Sequence, residues 1–182
     1  MNLKIRVVTG VCIASLASCA NTPAEPNRLS MPAPTSADNS LSSRLFRDVN
    51  AYRRSQSGKD LQRHSGLDKL AQGHSEYLLK NRGSFSLNGK NVSHFGFEGR
   101  YLVARERFQM PSVSENVGAS PIPQDLLQLW KASKDHNKNM LDDWTHSGIG
   151  VAVDSDGMIF ATQLFSLYNS SHHSRQERFN HF

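Results

Sequence analysis

Imidazoles and carboxylates are the side chains that exchange protons near neutral pH and hold divalent ions. Three short segments of this chain carry them beside other polar groups. They are Val92-Ser93-His94-Phe95, Ser114-Glu115-Asn116-Val117, and Trp130 followed by Asp135-His136-Asn137-Lys138-Asn139-Met140-Leu141. Singly each is a weak signal, because a lone His in a loop usually serves the surface or a hydrogen bond. A Glu before an Asn on a short strand is more often structural. Other chemistries are missing from the pattern: there is no Ser or Cys nucleophile motif, no His-Glu-x-x-His helix and no Gly-rich phosphate loop. The remaining candidates have plainer readings. His74 lies on an apolar helical stripe and reads as a packing residue, His64 and His146 read as loop residues, and Trp130 and Trp144 as core or rim anchors.

The elements that would position these groups follow from apolar spacing. Leu41, Leu45, Val49 and Tyr52 recur at helical intervals over residues 40–54, with Asp38 or Ser40 as the candidate N-cap. A second helix spans 67–79 through Leu67, Leu70, Ala71, His74 and Leu78, and stops at Asn81-Arg82-Gly83. Pro123 suits the first turn of a third helix that runs through Leu126, Leu127 and Trp130. Residues 100–108 suggest another helix and 115–118 a short strand. The clearest local signal is a hairpin in which Gly148-Ile149-Gly150-Val151-Ala152-Val153 meets the apolar run 158–165 across Asp154-Ser155-Asp156-Gly157. Helices around a late antiparallel sheet predict an α+β domain over residues 41–168, long enough to bury about two-thirds of its unfolded surface.

The ends of the chain carry different signals. Lys4 and Arg6 precede a short apolar run that closes on Leu16-Ala17-Ser18-Cys19, the pattern of a secretory leader over residues 1–18. Leu-Ala-Ser-Cys resembles the bacterial lipobox, which implies diacylglycerol on Cys19 and cleavage in front of it. The apolar run is about half the ~20 residues that a spanning helix needs. Of the two cysteines, Cys12 leaves with the leader and Cys19 is consumed by lipid, so no disulfide, thiol nucleophile or thiolate ligand remains. Residues 19–40, with Pro23, Pro26, Pro32 and Pro34, read as a flexible tether. Residues 169–182, with His172, His173 and His181, read as a polar tail. Loss of Lys4 and Arg6 takes the formal net charge from +5 to +3, too mild to argue for nucleic acid.

Taken together, the ordered motifs resemble the CAP superfamily (cysteine-rich secretory proteins, antigen 5 and pathogenesis-related proteins; the SCP domain). The residues carrying the resemblance are Asn50-Ala51-Tyr52-Arg53, Leu70-Ala71-Gln72-Gly73-His74, Val92-Ser93-His94, Ser114-Glu115-Asn116-Val117, Trp130, Asp135 to Leu141, and Ile149-Gly150-Val151. It implies an α-β-α sandwich of helices around a small central antiparallel sheet. It also implies a cleft lined by two His and two Glu, of which His94, Glu115 and His136 would be three. The two imidazoles would be candidate ligands for a divalent metal such as zinc, with Glu115 nearby to accept a proton, hold a water or orient one imidazole. Asn116, Trp130 and Asp135 are candidate binding residues of the same cleft. The chain departs from the family pattern where Lys131-Ala132-Ser133-Lys134 stands in place of the second Glu, and at Ser114, Asp135 and Asn137.

These readings predict a lipid-anchored protein of the bacterial cell envelope, with the outer membrane favoured in a diderm source because Ala20 follows the lipidated Cys. Its cleft would take a small ligand, a lipid or an envelope protein, directly or through a divalent metal. Two other classes stand beside this one: a metal-assisted hydrolase with Glu115 as general base, and a purely structural envelope protein. The missing second acid and the lack of a nucleophile motif weigh against the enzyme.

Overall fold

The computed structural model describes residues 35–84 and 94–168. The leader, Cys19, the proline-rich stretch up to residue 34, Val92-Ser93 and the 169–182 tail lie outside the described residues. The first helix, α1 (Ser36–Ser55), starts earlier than its apolar spacing suggests. Thr35 is the N-cap: its hydroxyl accepts from the Asp38 N–H at 3.2 Å, and the Asp38 carboxylate accepts from the Thr35 N–H at 2.9 Å. This reciprocal pair satisfies two otherwise orphaned donors and outweighs the weak helical preference of the Ser-rich first turn. Asp38 is therefore the partner of the cap, and residues 36–40 belong to the helix instead of the tether.

Four strands form one mixed sheet in the order β1 (Gln62–Arg63), β3 (His146–Val153), β4 (Ile159–Leu167), β2 (Ser112–Ser120). The β3–β4 hairpin closes where the Gly157 N–H donates to the Asp154 carbonyl at 2.9 Å. β2 pairs antiparallel with β4 along its whole length. Only the two-residue β1 runs parallel to its neighbour β3, a feature that four consecutive polar residues hide in the sequence.

The side-chain alternation along β4 separates two helical layers. Ile159, Ala161 and Phe165 pack with Leu45 and Val49 of α1, Leu126 and Trp130 of α4 (Pro123–Ala132), and Met140 of α5 (Lys134–Leu141). Phe160 and Leu164 face the other way, onto Leu78, Leu67 and Ala71 of α2 (Ser65–Lys80) and Ala104 of α3 (Phe97–Phe108). The result is the expected α-β-α sandwich. The helix α5 has no counterpart in the periodicity because it is eight residues long and buries only Met140.

Helix α2 lies directly on β3 because that strand presents glycine. A Cβ on Gly150 would stand 2.1 Å from the Gln72 backbone nitrogen, and one on Gly148 would stand 2.3 Å from that of Asp68. Close approach lets α2 act as a surrogate strand along the open edge of β3, which β1 covers only at His146 and Ser147. Asp68 accepts from the Ile149 N–H at 2.9 Å, and Gln72 both accepts from and donates to the Val151 backbone at 3.0 and 2.9 Å. An i,i+4 pair on one helix face thereby satisfies an edge that would otherwise invite pairing.

The Asn50-Ala51-Tyr52-Arg53 motif is a brace. The Asn50 amide exchanges two hydrogen bonds with the Leu61 backbone at 3.0 and 2.9 Å. The buried Arg53 guanidinium donates to the carbonyls of Lys59, Met140 and Asp142 at 2.7, 2.6 and 2.8 Å. It thereby fixes the C-terminal end of α5, the helix that carries His136.

Candidate functional site

Glu115 lies in the middle of the edge strand β2, and the alternation of that strand turns its side chain toward the α2–α3 layer. The carboxylate is almost fully buried, with 1% side-chain exposure. Three contacts hold it. The Arg100 guanidinium, from α3, reaches Oε2 with Nε at 2.7 Å and Oε1 with Nη2 at 2.9 Å. His94 Nδ1 lies 2.8 Å from Oε1.

Burial penalises the charge on Glu115, but the hydrogen bonds from His94 and Arg100 and the positive charge of Arg100 outweigh it. The net effect lowers its pKa below the ordinary carboxylate value. An ionised carboxylate only accepts hydrogen bonds, so the proton between it and His94 belongs to the imidazole Nδ1. The His94 side chain is half exposed, so its ring is open to solvent beyond this contact.

The chain holds His94 in place by a turn that glycine permits. Gly96 adopts φ +74°, a conformation that other L residues take only with strain, and serves as the N-cap of α3. The Phe97 N–H closes back on the His94 carbonyl at 2.9 Å. Arg100 joins this turn as well, donating from Nη1 to the Phe95 carbonyl at 3.0 Å. One guanidinium thus ties the buried acid to the backbone that carries the imidazole.

His136 approaches from the opposite layer, on the first turn of α5. Burial lowers its pKa, the nearby His94 lowers it further, and Asp135 opposes both. His136 therefore stands within electrostatic reach of His94. His74, read from the sequence as a packing residue, is buried on α2, close enough to Glu115 that a positive charge there favours the ionised carboxylate. Its ring stacks on Tyr77 at 5.9 Å, and Tyr77 stacks on Phe95 at 5.3 Å, so an aromatic ladder climbs from the interior to a ring that is 65% exposed.

The other candidate binding residues have different places. Trp130 is fully buried and donates its indole N–H to the Val117 carbonyl at 3.2 Å, which makes it a core residue and not a cleft wall. Asn116 is also fully buried, because adjacent strand residues point to opposite faces. Its amide donates to the His136 carbonyl at 3.0 Å and accepts from Asn139 at 3.0 Å. Asp135 is exposed beside His136. Where the family pattern implies a second Glu, the cationic Lys131 packs over the Tyr52 ring at 4.8 Å.

Arg100 was not legible as a site residue. Its only trace in the sequence is a place on a predicted helix, and nothing in residue spacing says that this helix faces β2.

A family model for the cysteine-rich secretory proteins matches residues 46–165 of the chain. The chain belongs to the CAP family. No curated protein sequence matches it. Among solved structures, an outer surface protein from Borrelia burgdorferi superposes with a TM-score of 0.60 at 16% identity, covering 75% of this chain and 97% of that one. A cysteine-rich secretory protein from Staphylococcus aureus gives 0.56 at 17%, covering 73% of this chain and 40% of that one. An extracellular SCP-domain protein from Bacillus anthracis gives 0.55 at 25%, covering 74% and 44%.

For a CAP domain the question of a metal follows at once. Among the described residues, no three His, Cys, Asp or Glu side chains are arranged to hold a metal ion. The donor chemistry agrees: Glu115 already spends both oxygens on a guanidinium and an imidazole, so it is not free as a third donor beside the two imidazoles. The residues present do not fit the divalent centre that the resemblance implies.

Proposed function

We propose that this chain is a lipid-anchored protein of the cell envelope whose CAP domain binds a ligand at the His94 face and does not turn over a substrate. The observation that carries this reading is the pairing of both Glu115 oxygens with Arg100 and His94. A general base needs an oxygen open to the water it deprotonates and a pKa near the working pH. Glu115 has a lowered pKa and no unpaired oxygen, which removes the reason to cast it as that base. What faces outward is the half-exposed His94 ring, with the exposed Phe95 next to it in the chain. An imidazole next to an exposed aromatic ring suits a small ligand, a lipid headgroup or an envelope protein that brings a polar group beside an apolar one.

Anchoring through diacylated Cys19 would hold the domain at the membrane, since stable attachment takes at least two acyl chains. No helix among the described residues is long and apolar enough to cross a membrane. The names of the similar structures, an outer surface protein and an extracellular SCP-domain protein, support an exterior location.

A second reading has one observation in its favour. The 2.8 Å contact of Glu115 with His94 Nδ1 is the arrangement by which a carboxylate orients an imidazole base. The two are separated by assaying the full-length protein and its His94→Ala variant on ester, peptide and phospholipid substrates. Equal, background turnover is expected, and turnover that depends on His94 overturns the binding reading. Binding itself is followed by adding envelope lipid vesicles to histidine-labelled protein and watching the His94 and His136 ring signals, which are expected to move. Growth in labelled palmitate tests the anchor, and an unlabelled band contradicts it.

A further inference from the structure

We propose that Arg100 is the resident cation of this site: its guanidinium takes the charge-balancing place at Glu115 that a divalent ion would need, and so excludes the ion. Three observations support this. The fork is two-pointed, with N–O distances of 2.7 and 2.9 Å, the geometry in which a guanidinium matches a carboxylate best. It is largely shielded, with 11% exposure for the arginine side chain and 1% for the glutamate, so solvent screens it little. Finally, the same guanidinium donates to the Phe95 carbonyl, which clamps the turn on which His94 sits and holds His94 Nδ1 against Glu115 at 2.8 Å. A metal entering here would face a fixed positive charge at contact range and would find the Glu115 carboxylate already neutralised. The loss of the second acid, with Lys131 over Tyr52 in its neighbourhood, points the same way. The inference stands apart from the proposed function, since a metal-free site serves a binding module and an imidazole base alike.

The test is a Zn²⁺ titration of the full-length protein in detergent by calorimetry, repeated with Co²⁺, whose visible absorption reports inner-shell ligation. The native protein is expected to show no binding that His94→Ala abolishes. Arg100→Met is expected to acquire a His94-dependent Zn²⁺ site at least about tenfold tighter than any background binding of the native protein, because the repulsion of a cation held a few ångströms away is gone. That site should vanish in Arg100→Met/His94→Ala. Arg100→Lys keeps the charge without the fork, is less disruptive to the fold, and should stay as free of metal as the native chain. Native binding that depends on His94 overturns the proposal, as does a folded Arg100→Met that gains nothing. A site in Arg100→Lys as tight as in Arg100→Met also overturns it, because shape and not charge would then be doing the excluding.

Discussion

The side-chain amide of Asn116 donates to the backbone carbonyl of His136 at 3.0 Å, joining the sheet edge to the first turn of α5. The same amide oxygen accepts from Asn139, and Asn139 in turn donates to the Glu115 carbonyl at 3.3 Å. This small network, not a covalent link, sets where one imidazole stands relative to the other. Replacing Asn116 by Ala would leave the His136 carbonyl and the Asn139 amide short of partners in a buried setting. Urea denaturation is expected to show a loss of about 1–3 kcal/mol. The His136 ring signal should shift in the same variant while the His74 signal holds.

Arg53 serves three carbonyls from a fully buried position, and none of its three contacts is with a carboxylate. Its removal would strand acceptors at the end of α5, so Arg53→Ala is expected to cost more than about 2 kcal/mol. Arg53→Lys should recover only part of this, because an ammonium cannot span three carbonyls as the planar fork does. Paired melting curves of the two variants decide the matter, and equal melting temperatures for Arg53→Lys and the native chain would refute it.

Gly150 tests the surrogate strand. A methyl group there would press on the Gln72 backbone at 2.1 Å, and helix backbone has no rotamer by which to yield. Gly150→Ala is expected to lose at least about 1–3 kcal/mol. Hydrogen exchange of the Ile149 and Val151 amides should accelerate as α2 lifts from the edge. Gly73 has nothing within 4 Å of its added Cβ, so Gly73→Ala should be neutral or mildly stabilising and provides the control.

Acid should unfold the protein in two steps. Burial lowers the pKa of His64, His136 and His146; the neighbouring His64 lowers that of His146 further, and His94 that of His136, while Asp68 opposes the shift of His64 and Asp135 that of His136. A lowered imidazole pKa means that the unfolded chain binds protons more readily, so stability is present above the ordinary value of about 6.5 and falls as pH drops below it. Glu115 has a lowered carboxyl pKa, so its contribution persists to about pH 4.5 and is lost below that. Denaturation midpoints measured from pH 8 to pH 3 are expected to show both declines. Glu115→Gln should remove much of the lower one.

The sequence by itself determined a good deal. Period-2 and period-3.6 spacing, the Asp-Gly turn and Pro123 marked the hairpin and four of the five α-helices among the described residues, because those signals are local. The ordered motifs carried the family, and with it the expectation of an α-β-α sandwich. What remained hidden depended on pairing at a distance. The two-residue β1 and the short α5 have too little apolar repeat to register alone: Asn50 fixes the Leu61 backbone that leads into β1, and Arg53 and Asn116 satisfy carbonyls of α5 from other elements. The site followed the same rule. Residue type nominated His94 and Glu115, and only the packing of α3 against β2 brought Arg100 to that carboxylate, while strand alternation turned Asn116 inward and away from it. A charge can be read from a letter, but its counter-ion is chosen by the fold, since the energy of the pair depends on a few ångströms and on the exclusion of water.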